Sequence, residues 1–206
     1  MKILRFPEKL PLTDYLDLEQ QLVRDVQEPL FFTWIVAPTV IYGRHQQAEA
    51  ELNQAYCREH GIAVVQRKSG GGCVYADSGN LMLSLISPSP HSEVVFADFL
   101  RMLCQALQDG GLPAVTTTHN DVLVRDRKVS GCASYTTPTG TIVHSTLLFD
   151  VNLDAMMQAL TPSQTKLSKH GVASVRQRVA NLTELTDVFP DIFALRAHIE
   201  HAFSRF

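Results

Sequence analysis

Arg67-Lys68-Ser69-Gly70-Gly71-Gly72-Cys73-Val74-Tyr75-Ala76-Asp77-Ser78-Gly79-Asn80 is the most unusual segment of this chain. Val64 and Val65 precede the glycines, and an apolar run over residues 81–86 follows, so three consecutive glycines sit inside an otherwise strand-like segment. Glycine loses more backbone freedom on folding than any other residue and brings no side chain to pack. A triplet between strands is therefore costly unless something approaches this backbone closely. A bound molecule is one such thing and a structural bulge is the other; the triplet alone leaves both open. The expected local structure is strand, glycine bend, strand.

Outward from this stretch, helices and strands alternate without repeats or low-complexity segments. Residues 14–27 place Leu18, Leu22 and Val26 on one helical face, with Asp14 after Thr13 as the expected cap. Residues 31–43 read as strand and turn around Trp34, interrupted by Pro38. Further helices are expected over 48–60, stopped by Gly61, and over 94–108, closed by Asp109-Gly110-Gly111. Residues 121–131 read as a hairpin with a polar Arg125-Asp126-Arg127 tip, 141–151 as a strand, and 153–160 and 192–203 as helices. Mixed sheet with flanking helices makes the class α+β.

A chain of 206 residues, 45% hydrophobic and 19% charged, suffices for one sizeable core, so residues 1–206 are expected to form a single domain. The formal net charge of −3 gives no global attraction to nucleic acid or to an anionic membrane, and neither is expected as a partner. No apolar run reaches the roughly 20 residues of a membrane span, and the first residues lack the apolar stretch of a signal peptide, so a cytoplasmic protein is expected. Cys57, Cys73, Cys104 and Cys132 show no metal-ligand spacing and read as free thiols.

Three further segments carry chemistry. In Asn120-Asp121 through Lys128-Val129-Ser130-Gly131, a lysine beside small residues can project its ammonium toward a phosphate or carboxylate lying close to backbone. A solvated lysine at a hairpin is the plain alternative, with Asp121 as salt-bridge partner rather than metal ligand. His144, in an apolar strand, reads equally as a core histidine or a ligand contact. Arg176 and Arg178, preceded by Lys166 and Lys169, form a local basic concentration in an acidic chain, suited to a phosphate or an acidic partner surface unless it is only a solvated face.

Taken together these segments resemble the lipoate-protein ligase A family, within the wider group of biotin and lipoate protein ligases. The resemblance rests on Arg67 to Gly72 with Asp77-Ser78-Gly79-Asn80, on Asn120-Asp121 with Arg127 to Gly131, on His144-Ser145-Thr146-Leu147-Leu148, on Ser174-Val175-Arg176 through Leu185, and on Trp34 with Gly43-Arg44-His45-Gln46. It implies the biotin/lipoate protein ligase catalytic fold, which is like that of class II aminoacyl-tRNA synthetases. It also implies a two-step reaction: lipoate and ATP, with Mg²⁺, give lipoyl-AMP and pyrophosphate, and a lysine of a lipoyl carrier domain then takes the lipoyl group. The carriers would be E2 subunits of 2-oxoacid dehydrogenases and the glycine cleavage H protein.

By the same resemblance Lys128 is the electrostatic stabiliser at the acyl carboxylate and α-phosphate, and Asp121 orients it or meets the magnesium. Arg67, Ser69, Gly70, Gly71, Gly72, Tyr75, Asn80, Asn120, Ser130, Gly131, His144 and Arg44 bind acid or adenylate, and Arg176 and Arg178 are candidate carrier contacts. Ligases of the family carry a C-terminal accessory domain, which this chain is expected to lack, with a separate accessory subunit as one way to supply it. The alternatives are an octanoyl or lipoyl acyltransferase working through a cysteine thioester or a ready-made adenylate, a biotin ligase, and a non-catalytic lipoate- or carrier-binding module. Cys73 and Cys132 are the thiols expected near the cavity.

Overall fold

A computed structural model describes residues 1–6, 10–117, 120–160 and 178–206. Within it a seven-stranded sheet runs in the order β1 (Lys2–Ile3), β2 (Leu30–Trp34), β6 (Asn80–Ser87), β10 (Gly140–Leu148), β9 (Arg127–Thr137), β8 (Asp121–Val124), β7 (Ala114–Thr116). A three-stranded sheet has the order β4 (Ala63–Gln66), β3 (Thr39–Tyr42), β5 (Val74–Ala76). The helices are α1 (Leu12–Asp25), α2 (Ala48–Glu51), α3 (Gln54–Glu59), α4 (Ser92–Asp109), α5 (Leu153–Ala159) and α6 (Ile192–Ser204).

The large sheet is covered on both faces, and the period-2 alternation of its strands sorts the side chains. On β6, Leu81, Leu83 and Leu85 enter one cluster with Phe99 and Leu103 of α4 and Phe203 of α6, while Met82 and Ile86 enter another with Tyr15 and Val23 of α1. On β2, Phe31 goes to the first cluster and Phe32 and Trp34 to the second. An apolar run that is continuous in sequence is thus what a strand buried on both faces requires. Each fully buried Leu or Phe contributes roughly 1.5–3 kcal/mol. The small sheet behaves likewise: Ile41 and Ala76 face the α1 cluster, and Val40 and Tyr75 face a third cluster with Cys57 of α3 and Met156 of α5.

Several local expectations shift. Helix α1 begins at Leu12, with Pro11 rather than Asp14 at the cap position and no side-chain cap hydrogen bond. Its most buried positions are Leu12, Tyr15, Glu19 and Val23, so the buried stripe is centred one residue round from Leu18 and Leu22, which are only half-buried. The helix expected over 48–60 is broken at Leu52, whose backbone bridges to Leu160, and Asn53 caps α3 by accepting from Tyr56 N. The segment around Pro38 divides two strands that belong to different sheets. Asp77 binds the amides of Gly79 (2.8 Å) and Asn152 (3.0 Å), closing the turn into β6. Gly79 is required there, because a Cβ would lie 1.9 Å from Asp150 O.

Candidate active site

Strands β4 and β5 flank β3, so the glycine segment, residues 67–73, must cross the end of β3. What approaches its backbone is in part the protein itself. Arg67, only 6% exposed, donates from Nη2 to the carbonyls of Gly70 and Gly72 (both 2.7 Å), from Nη1 to Ile41 O (3.2 Å) and from Nε to Ser69 Oγ (2.9 Å). Burial pulls this guanidinium below its ordinary range. Gly71 has φ +90°, a left-handed conformation that favours glycine. A Cβ on Gly43, opposite, would come within 2.3 Å of Gly71 O. Arg67 and Gly43 therefore shape the loop from inside.

The loop roofs a cavity of about 300 Å³ whose floor is the α1-facing side of the large sheet. Strand register gives the floor its order: Met82 of β6 pairs with Thr146 of β10, which pairs with Gly131 of β9, and Ser84 pairs with His144, which pairs with Ala133. Leu16, Trp34, Ile41 and Val74 supply apolar wall. One end holds Lys128 and Asp121 in an ion pair (Nζ–Oδ1 2.7 Å), each side chain about one-third exposed at 34% and 29%.

Lys128 reaches that end because of a bulge. Val122 pairs with Ser130 but Leu123 pairs with Lys128, leaving Val129 as an extra residue in β9. Gly131 and Ala133 line the cavity, so strict alternation would turn Val129 toward it and Lys128 away. The bulge instead puts Val129 in the α4-side core and Lys128 on the cavity side. Gly131 then makes room for the lysine, since a Cβ there would lie 3.1 Å from Nζ and 3.2 Å from Cε. Arg125 and Asp126 close the β8–β9 hairpin with φ of 50° and 61°.

The other end is a buried polar network. His144 sits with Nε2 2.7 Å from Ser69 Oγ and Nδ1 3.1 Å from Glu19 Oε2. Ser84 Oγ donates to Glu19 Oε1 (2.6 Å) and accepts from Trp34 Nε1 (2.9 Å). Glu19 is 2% exposed and Ser84 fully buried. A second cavity of about 150 Å³ lies beyond, lined by Ser69, His144, Glu19 and Tyr135 among others.

Of the residues expected from sequence, Arg67, Gly71, Gly72, Asn120, Asp121, Lys128, Gly131 and His144 line the main cavity. Ser69 lines the second, and Gly70 holds the loop through its carbonyl. Asn120 donates to Cys132 O (2.7 Å). Asn80, also expected at the site, is buried off the cavity lining beside Met82, donating to its sulfur (3.2 Å), while its own Oδ1 meets no hydrogen-bond partner among the described residues.

Three expectations are corrected. Tyr75 alternates away from Val74 into the cluster behind the small sheet, where burial and Asp77 push its phenol far up. Ser130 is buried off the cavity lining, bonded to Ser145 Oγ (2.7 Å). Arg44 is exposed, its Nε donating to His45 Nε2 (3.0 Å). Arg178 is exposed at the surface, and Arg176 lies outside the described residues. Cys132 lines the cavity, but burial pushes its thiol up to about 11, leaving it neutral and a poor nucleophile. Glu19 and Ser84 were not foreseen, and Thr146 was named only within the motif that follows His144. A carboxylate four residues from both Tyr15 and Val23, inside an apolar stripe, was the available signal for Glu19.

The family model of the lipoyl protein ligase A/B catalytic domain matches residues 11–204. The chain belongs to that family. It is 35% identical over 193 residues to lipoate-protein ligase LplJ of Bacillus subtilis, covering 92% of this chain and 58% of that protein. It is 37% identical over 172 residues to lipoate–protein ligase 1 of Staphylococcus aureus, covering 82% and 52% respectively. The chain thus spans little more than half the length of these curated relatives. Among solved structures it resembles the bi-partite lipoate protein ligase of Thermoplasma acidophilum, studied with its E2 lipoyl domain (TM-score 0.85, 27% identity, 99% of this chain and 82% of that one). It also resembles a lipoate-protein ligase A bound with ATP (TM-score 0.83, 25% identity, 99% and 84%). The catalytic fold of lipoate protein ligases, mixed sheets flanked by helices, is therefore the fold of this lipoyl ligase-family chain.

Proposed function

We propose that the chain is the catalytic part of a lipoate–protein ligase, which activates lipoate with ATP and passes the lipoyl group to a lysine of a lipoyl carrier domain. The observation that carries the reading is the Lys128 ammonium, turned by a bulge into one end of a cavity whose walls are apolar. A fatty acid has that polarity: a charged head and an apolar tail. In the first step a carboxylate oxygen of lipoate attacks the α-phosphorus of ATP, the bond to pyrophosphate breaks, and lipoyl-AMP forms. Two anionic groups must meet, and Lys128 offsets their repulsion in a partly desolvated place. The backbone of Gly71 and Gly72 lies against the acyl-adenylate. In the second step the carrier's amine attacks the acyl carbon, the bond to AMP breaks, and the amine's proton leaves with AMP or solvent. Holding the reactants together is the main contribution there.

Asp121 is the carboxylate at this end of the cavity, and among the described residues no group of three His, Cys, Asp or Glu forms a ready metal cage. That donor set suits Mg²⁺ arriving with nucleotide phosphates, which uses one or two carboxylates. Bound there, magnesium would offset phosphate charge. The named relatives support lipoate and ATP as substrates, and the Thermoplasma ligase supports E2 lipoyl domains as partners. H protein as a second carrier, a separate accessory subunit for activation, a carrier contact at Arg178 and a cytoplasmic location belong to the same proposal. Among the described residues no helix is long and apolar enough to cross a membrane. The neutral Cys132 thiol speaks against acyl transfer through a thioester at that residue.

Mass spectrometry of an apo carrier domain tests the proposal, with one tube given lipoate, ATP and magnesium and another synthetic lipoyl-adenylate. A lipoyl mass increment in both is the result expected of a complete ligase. An increment with the adenylate alone indicates that activation needs the accessory subunit. No increment in either overturns the ligase reading and turns attention to the acyltransferase and the binding module.

A further inference from the structure

The hydrogen bonds at the buried end of the cavity favour one proton direction, which gives Glu19 a role. Two of its members, Trp34 Nε1 and Arg67 Nε, can only donate. Ser84 Oγ accepts from Trp34, so its own hydrogen goes to Glu19 Oε1. Ser69 Oγ accepts from Arg67 Nε on one lone pair, and its other partner is His144 Nε2, which takes the Ser69 hydrogen when that nitrogen is the acceptor. A Glu19 carboxylate can only accept at Oε2, so a neutral His144 carries its hydrogen on Nδ1 and accepts from Ser69 at Nε2. Two chains of donors, one from Trp34 and one from Arg67, therefore converge on a single carboxylate. An ionised carboxylate suits that terminus because both its oxygens accept.

We propose that Glu19 is a positioning residue: its carboxylate fixes the tautomer of His144, and through His144 and Ser69 it sets the Arg67-held glycine loop that roofs the acyl cavity. Glu19 sits on α1, 65 residues from Ser84 and 125 from His144 in sequence, so it also ties that helix to the sheet beneath the cavity. The amide of glutamine cannot replace it. With its oxygen toward His144, its NH₂ meets a Ser84 oxygen already accepting from Trp34, and the Ser84 hydrogen is left without its acceptor. With its NH₂ toward His144, Nδ1 must become the acceptor. Nε2 then carries the hydrogen, and Ser69 loses the acceptor for its own. Partly satisfied buried networks of this kind are costly.

The tautomer part of this inference stands on geometry alone, while its effect on acid binding rests on the lipoate-ligase reading, and the test separates the two. Nitrogen-15 NMR of the histidine rings, with His144 assigned from a His144→Gln spectrum, reports which ring nitrogen is protonated. Wild-type protein at neutral pH is expected to show Nδ1–H, and Glu19→Gln to show Nε2–H or a mixture. In parallel, the KM for lipoate is expected to rise about tenfold in Glu19→Gln, as for loss of one well-made buried hydrogen bond, with kcat within about twofold of wild type. A wild-type His144 carrying Nε2–H, or both hydrogens, overturns the inference even if Glu19→Gln does not fold. So does a folded Glu19→Gln with an unchanged tautomer, or one whose tautomer changes while KM does not. A wild-type protein without lipoylating activity but with the Nδ1–H tautomer overturns the ligase reading and its claim on KM, leaving the tautomer assignment intact.

Discussion

The two ends of the cavity are built on opposite principles. At one end Arg67, Ser69, His144, Glu19, Ser84 and Trp34 are linked in a buried or nearly buried chain of hydrogen bonds. At the other, Lys128 and Asp121 make a single ion pair and keep about a third of their surface in solvent. The difference teaches where shape is fixed and where chemistry is left free. The buried end can only preserve a geometry, because changing any member leaves a buried donor or acceptor without its partner. The Lys128 end has spare capacity, since an ammonium has three donors and Asp121, its ion-pair partner among the described residues, takes one, leaving others for an incoming phosphate or carboxylate.

That contrast can be broken most forcefully at Lys128. Lys128→Ala is expected to reduce lipoyl transfer on the order of a thousand-fold, as for removal of a group that offsets transition-state charge. Its stability is expected to change by no more than about 1 kcal/mol, because the pair it removes is partly exposed. Activity by mass spectrometry and urea unfolding on the same sample check both halves. Arg67→Ala should show the reverse pattern: it strands the carbonyls of Gly70, Gly72 and Ile41, and a loss of roughly 3 kcal/mol of stability is expected by urea unfolding.

Gly131→Ala sharpens the comparison. The new methyl would press on the flexible end of Lys128 rather than on backbone, so the fold should hold. The displaced ammonium should lower transfer about tenfold, a misplacement effect, with little change in melting temperature. The smallest effect concerns Cys132. With its thiol pushed up to about 11, roughly a thousandth of it is ionised at pH 8, and iodoacetamide at that pH should leave Cys132 unmodified in the folded protein by peptide mass mapping. Because the shift is upward, raising the pH toward 11 should bring the reaction on.

The open end was more legible in the sequence than the buried end, for physical reasons. Lys128, Gly131 and Asp121 lie within one hairpin, and hairpin chemistry is local: a small residue beside a lysine shows in the chain. What the chain did not show was the bulge at Val129, because the extra residue is defined by pairing across to Val122 and Leu123. His144 was a candidate in the sequence, but Glu19 and Ser84 come from two other elements far from it in the chain, and their polarity looked like routine amphipathic or strand variation until the fold brought the three together. The buried stripe of α1 was misjudged by one residue, enough to pass over Glu19. Tyr75 and Arg44 were placed in the site by the family resemblance, and the structure sets both apart from the cavity lining. Strand alternation turns Tyr75 to the opposite face, and Arg44 projects into solvent. The helices over Ser92–Asp109 and Ile192–Ser204 were legible because long amphipathic or apolar segments with Gly or Asp at their ends state their own limits.

The central claim is that an acid lies in this cavity with its carboxylate toward Lys128 and its tail toward Trp34. Trp34 is the single tryptophan of the chain and lines the cavity, so its emission reports on occupancy without a label. Titrating lipoate into wild-type and Lys128→Ala protein while following that emission is the most direct test. A saturable change in both, with binding weakened about tenfold in Lys128→Ala as for loss of a charge-assisted contact, is the predicted result. No saturable change in the wild type, or equal affinity in the two proteins, would contradict it.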